Sequence, residues 1–151
     1  MTQLRKRALW SLGIFGPVML VFLAVFFSDG GPETFAQSRV RKVAVAGLFL
    51  AGYGSFFAML YATRIRSAAG PVITDERDVA IASRANSVAL IAVMVFVYVV
   101  STALWTIFEP AGALPAGWMQ FLAYATVFFG LLAHASATLF LDGKAVLRGE
   151  G

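Results

Sequence analysis

The chain has 151 residues, of which 60% are apolar and only 13% charged, with a formal net charge of +4. A soluble domain carries about 25% charged residues, so this composition excludes an ordinary soluble protein and indicates an integral membrane protein. The absence of cysteine excludes disulfides, iron–sulfur clusters, thiolate zinc sites and dithiol redox chemistry.

Four apolar runs follow one another along the chain, and each is long enough to cross a membrane. A helix rises about 1.5 Å per residue, so about 20 residues cross a hydrocarbon core of roughly 30 Å. The runs have no Asp, Glu, Lys or Arg in their interior and lie at about 9–27, 43–63, 85–108 and 118–141. We therefore predict an all-α fold, in which a single transmembrane domain over 1–151 forms an integral membrane four-helix bundle.

The basic residues of the short loops predict the orientation of this bundle, because Lys and Arg concentrate on the cytoplasmic side. The amino end, the loop over 64–84 and the carboxyl tail carry three, four and two of them. The connections on the other side carry three, namely Arg39, Arg41 and Lys42. Both termini and the loop are therefore expected to be cytoplasmic, and the group at 39–42 is the one signal against this orientation.

Small residues recur at a four-residue spacing in the second run, at Gly47, Ala51 and Ser55, and Gly130 has a similar position in the fourth. Small side chains let helices approach closely in a bilayer, where van der Waals contact and hydrogen bonds drive association. We predict that these four residues are helix-packing positions. Packing within the chain's own bundle is the favoured interpretation, and contact with a second copy or a partner is the alternative.

His134 is the one histidine of the chain and the most polar group inside any run. Ionisable residues within a membrane are candidates for function, and Thr138 lies one turn further on. We predict an intramembrane polar site formed by His134 and Thr138. The imidazole can be an axial ligand, a proton relay or, in the favoured interpretation, a neutral group bonded to a hydroxyl of another helix, on Tyr98, Ser101 or Thr102. We expect no cofactor and no metal site, since a second histidine is missing.

Charged residues crowd the entry to the third run, in the segment VITDERDVAIASRA at 72–85. Thr74 or Asp75 can cap a helix, and carboxylates are favoured at the positive end of its dipole. The segment therefore predicts a long helix that begins in the cytoplasm and continues as the third span. Four consecutive charges exceed what a cap needs, so beside capping and interface anchoring we predict a partner or ligand contact, made by Asp75, Glu76, Arg77, Asp78 and Arg84.

The same segment carries a resemblance to a known group of proteins. DERDVAIASRA resembles the signature of small prokaryotic four-span membrane proteins of unknown function, in which an Asp-Glu-Arg-Asp motif precedes an apolar residue and a basic-Ala pair. In this chain the motif lies at 75–78, the apolar residue is Ile81, and the basic-Ala pair is Arg84 and Ala85. The resemblance implies a multi-pass protein of the cell inner membrane and names no activity.

The predicted function is that of a membrane protein without enzymatic activity. A Ser, a His and a carboxylate cannot converge, because His134 lies in the bilayer and the carboxylates lie outside it. We favour an accessory, regulatory or structural subunit of a membrane assembly. Its expected partners are the lipid bilayer and a second copy or another membrane protein, but not nucleic acid, since the basic residues are scattered among carboxylates. A small transporter or channel and a haem-binding redox protein using His134 are the alternatives.

Overall fold

The computed structural model describes residues 3–28, 30–67 and 76–147. Helices make up almost all of these three ranges, and no strand occurs in them. The helices are α1 (Gln3–Phe27), α2 (Gly31–Gln37), α3 (Arg39–Ser67), α4 (Glu76–Phe108) and α5 (Ala116–Leu147), with a short 3-10 turn over Glu109–Ala111 after α4.

Four of the helices, α1, α3, α4 and α5, are long and apolar enough to cross a membrane. Much of their apolar surface is uncovered: Leu20, Leu50 and Met94 are 68%, 76% and 64% exposed. Such a surface suits contact with lipid, whereas a soluble monomer rarely exposes a large apolar patch. The predicted all-α membrane bundle is therefore confirmed. Helix α4 begins at Glu76, so the charged entry segment belongs to the same helix as the third span.

Helix α5 is the centre of the bundle. It packs against α4 on one side and α1 on the other, and α3 packs against α1. Helices α1 and α5 are antiparallel, because Phe22 and Phe26, late in α1, contact Phe121, early in α5. In the part of the chain that the structure describes, α3 and α4 make no extensive contact. The fourth side of the bundle, between α3 and α4, is therefore open.

The core is built from aromatic rings. Its fully buried phenylalanines are Phe15, Phe22, Phe26, Phe35 and Phe128, which come from α1, α2 and α5. The ring centroids of Phe26 and Phe35 lie 4.4 Å apart, as do those of Phe49 and Phe128. Tilted aromatic pairs at such distances have a favourable quadrupole interaction in addition to their contact area. This contact matters in a bilayer, where dispersion replaces the hydrophobic effect as a source of cohesion.

Helix α2 closes one end of the bundle over this core. The turn that leads into it needs glycine, since Gly30 and Gly31 have φ angles of 96° and 72°. Pro32 and Phe35 are buried, and α2 packs against α5. The α2 backbone comes so close to Gly117, in the first turn of α5, that a Cβ on this residue would overlap with the Pro32 carbonyl group.

Arg41 and Lys42 hold the connection between α1, α2 and α3. One guanidinium nitrogen of Arg41 donates to the Ser28 carbonyl at 2.7 Å, and the other donates to the Thr34 hydroxyl at 3.1 Å. The Lys42 ammonium donates to the Ala36 carbonyl at 3.0 Å. Carbonyls at helix carboxyl ends lack intrahelical donors and favour cations. Two of the three basic residues that argue against the predicted orientation therefore have a local structural role.

Candidate functional site

The most polar buried feature of the described residues is an ion pair between α4 and α5. The Arg77 Nη2 lies 3.5 Å from the Asp142 Oδ1, and the side chains are 20% and 2% exposed. A buried carboxylate is costly unless a cation and hydrogen bonds stabilise its charge. The pair joins the start of α4 to the end of α5, so these two helix ends lie together at the end of the bundle opposite α2.

Each member of the pair lies at the unfavourable end of its own helix. Arg77 is the second residue of α4, where the helix dipole is positive, and Asp142 lies near the carboxyl end of α5, where it is negative. Helix dipoles favour the opposite placement of charge. The dipoles of their own helices therefore do not explain these two charges, and the contact between the side chains joins α4 to α5.

Asp142 continues a row of polar and small residues that winds slowly around α5. We define this polar seam as Thr126, Gly130, His134, Thr138 and Asp142, which recur every four residues. The seam meets α4 at two positions, since a Cβ on Gly130 would lie 3.2 Å from the Val93 Cγ2 and Asp142 pairs with Arg77. On α4 the buried residues nearest the ion pair are Ile81, Ala85 and Ala89. The buried side chains that follow Arg77 along α4 are thus mostly small and apolar.

The predicted intramembrane polar site lies on this seam. Thr138 is 1% exposed, and its hydroxyl donates to the His134 backbone carbonyl at 2.8 Å. The His134 side chain is half-buried and makes no hydrogen bond within the part of the chain described. The favoured interpretation is a hydrogen bond between the imidazole and a hydroxyl of Tyr98, Ser101 or Thr102. These three residues are exposed, and none of them bonds the imidazole. Of the two residues of the predicted site, Thr138 thus bonds the backbone of its own helix, and the His134 side chain bonds no other described residue.

Asp142 is the residue that sequence reasoning missed. The apolar run ends at Leu141, which predicts that Asp142 lies outside the bundle, yet it is 1% exposed. It lies about two turns, roughly 12 Å, beyond His134 along the same seam. The signal in the sequence for its burial is the four-residue spacing from His134 through Thr138 to Asp142. A carboxylate therefore accompanies the histidine on the seam, although no group of three possible metal ligands occurs among the described residues.

The charged entry segment divides between the interior and the surface. Arg77 pairs with Asp142, Glu76 and Arg84 are exposed, and Asp78 is half-buried. Asp75 lies outside the described residues. The predicted partner or ligand contact remains a prediction, and for Arg77 the structure adds a role within the bundle.

The helix-packing residues also divide. Gly130 packs against Val93, as expected of a contact inside the bundle. A Cβ on Gly47 would have no neighbouring atom within 4 Å, and Ala51 and Ser55 are exposed. The favoured interpretation of these three as packing within the bundle is therefore corrected. The close approach of α3 to α1 occurs instead at Gly52, whose Cβ would lie 3.5 Å from Val18 and 3.6 Å from Phe15.

Comparison of the chain with protein-family models, with curated proteins and with solved structures finds no match.

Proposed function

We propose that this protein is a non-enzymatic subunit of a membrane assembly and that α3 binds the neighbouring chain. The observation that carries the proposal is the division of the outward surface of α3 into two sectors. One sector has large side chains, at Val43, Leu50, Phe57 and Tyr61, which are 62% to 76% exposed. From Ala44 to Ala62 the other sector consists of small residues, whereas Val40, one turn before Ala44, is large and exposed.

We call the second sector the small-residue face, and all of its members are exposed. They are Ala44, Gly47, Ala51, Gly54, Ser55, Ala58 and Ala62. At about 100° per residue these positions fall within roughly one third of the helix circumference. Alternating steps of three and four residues connect Ala44, Gly47, Ala51, Gly54 and Ala58, which is the spacing of a left-handed helix pair.

Lipid and protein place different demands on such a surface. Lipid chains adapt to large side chains, whereas a second helix gains most contact where small residues let the two backbones approach. The open side of the bundle between α3 and α4 also leaves room beside α3 that the described residues do not fill. Both observations support a helix of another chain, either a second copy or another membrane protein, as the occupant.

Enlarging the small-residue face is expected to dissociate the assembly. Gly47→Leu and Ala51→Leu place branched side chains where the partner backbone would lie, so we expect about a tenfold loss of associated chain, equivalent to roughly 1.4 kcal/mol. Native mass spectrometry after mild detergent extraction measures this loss. Leu50→Ala, on the large sector of the same helix, is the control and is expected to leave association unchanged. Equal association of all three variants would refute the role of this face.

We also propose an inner-membrane location with both termini in the cytoplasm. The excess of basic residues in the two termini and the loop over 64–84 supports this orientation. The natural chain has no cysteine, so single cysteines report its orientation directly. We expect Lys144→Cys to react with a membrane-impermeant maleimide only after spheroplasts are permeabilised. Ala113→Cys, in the turn between α4 and α5, is expected to react in intact spheroplasts. The reverse pattern would overturn the orientation and leave the small-residue face untouched.

A further inference from the structure

A cavity lies between α4 and α5 at the end of the bundle opposite the Arg77–Asp142 pair. Its volume is about 230 Å³, and its walls include Leu104, Trp105, Phe108 and Leu122. Glu109 and the turn that joins the two helices line one end of the cavity, which we call its mouth. The cavity is therefore mostly apolar and has a carboxylate at its mouth.

The cavity continues along the α4–α5 interface. A second apolar recess, of about 390 Å³, shares Leu104, Leu114 and Leu122 with it and extends to Val97 and Thr126. From Glu109 to Val97 the helix rises roughly 18 Å. We call the two together the α4–α5 cleft. Its length and apolar lining suit an extended alkyl chain.

The charge at the mouth selects the kind of head group. Glu109 is exposed, and its carboxylate has no hydrogen-bond or ion-pair partner among the described residues. Within the same described part of the chain, no Lys, Arg or His lines the cavity or the recess. Trp105 stands one turn before Glu109 with 70% of its surface exposed, and an indole face attracts cations. Both groups favour a cation and disfavour an anion.

We propose that the α4–α5 cleft binds an amphiphile with one cationic head group and one apolar chain. The head group lies between Glu109 and Trp105, and the chain lies along Leu104 and Leu122 towards Val97. A neutral amphiphile gains only the contact of its chain, and an anionic one meets the repulsion of Glu109. The inference is independent of the proposed function, since the small-residue face is on α3 and the cleft is on α4 and α5.

Binding of dodecyltrimethylammonium to the full chain in phosphatidylcholine nanodiscs tests the inference. The lipid phosphate would lie beside Glu109, so the bilayer lipid competes weakly. Equilibrium dialysis is expected to show one saturable site beyond the uptake of empty nanodiscs. Dodecyl sulfate, with the same chain, and tetramethylammonium, with a similar head, are expected to show none.

Two variants separate the head group from the chain. Glu109→Gln removes the charge and is expected to weaken binding about fivefold, as for an exposed ion pair of about 1 kcal/mol. Ala113→Trp fills the mouth from an exposed turn position and is expected to abolish the saturable site. Glu33→Gln, an exposed carboxylate on α2 that lies outside the cleft, is the control and should bind as the natural chain does. Uptake equal to that of empty nanodiscs, or equal binding by all four proteins, would overturn the inference.

Discussion

Gly117→Ala is expected to destabilise the protein more than a methyl group added at any other described glycine. The new Cβ would overlap with the Pro32 carbonyl oxygen and lie 2.5 Å from its carbonyl carbon. Both are backbone atoms, so no side-chain rotation relieves the overlap, and α2 has to move away from α5. Loss of that packing uncovers Phe35 and its ring contact with Phe26. We expect a cost of about 3 kcal/mol in the free energy of unfolding.

Circular dichroism during heating in detergent micelles measures this cost as a fall in the melting temperature. Gly13→Ala is a matched control, because Gly13 is a helical glycine on α1 with nothing within 4 Å of the added Cβ. That variant is expected to melt at the natural temperature or slightly above it, since alanine favours a helix over glycine. If the two variants melt together, the close approach of α2 to α5 is not present in the folded protein.

Removing one member of the Arg77–Asp142 pair is the second large effect that we expect. Arg77→Leu leaves the Asp142 carboxylate buried without its cation, which costs about 3 kcal/mol. Asp142→Leu is expected to cost less, because Arg77 is 20% exposed and its guanidinium can turn towards water. The double variant with both leucines removes both charges and should recover most of the loss, since buried ion pairs exchange for apolar contacts at little cost.

The test compares the melting temperatures of the two single variants and the double variant. We expect the double variant above Asp142→Leu and Asp142→Leu above Arg77→Leu. Glu76→Gln, the exposed neighbour of Arg77, is the control and should change the free energy of unfolding by less than about 0.5 kcal/mol. Strictly additive losses in the double variant would mean that the two charges do not interact across α4 and α5.

The helices could be predicted from the sequence because long apolar runs are a sufficient signal in a chain with so few charges. The four spans and the continuation of α4 into the charged segment followed from length, capping residues and hydrophobicity alone. The short helix α2 did not, because the seven residues of Gly31–Gln37 begin within a stretch rich in glycine and proline that indicates a turn. Its formation depends on tertiary contacts of Phe35 and Pro32.

The site was harder to predict than the fold because lipid-facing and helix-facing surfaces share one composition. Gly47 and Gly52 look alike in sequence, yet Gly52 meets α1 and Gly47 faces outwards. Likewise, Asp142 follows an apolar run as a surface charge would, and only its pairing with Arg77, which lies 65 residues earlier, explains its burial. Which helices are neighbours decides both cases, and periodicity within one helix does not contain that information.

The central place of α5 has a consequence for how the protein is made. Helices α1, α3 and α4 leave the ribosome before α5, but among the described helices α4 docks extensively on α5 alone. Until α5 enters the membrane, α4 stays in lipid without that partner, and the pair between Arg77 and Asp142 cannot form, because Asp142 lies 65 residues later in the chain. The decisive step of bundle assembly therefore waits until α5 has been synthesised. A chain interrupted before α5 leaves α4 without its docking partner.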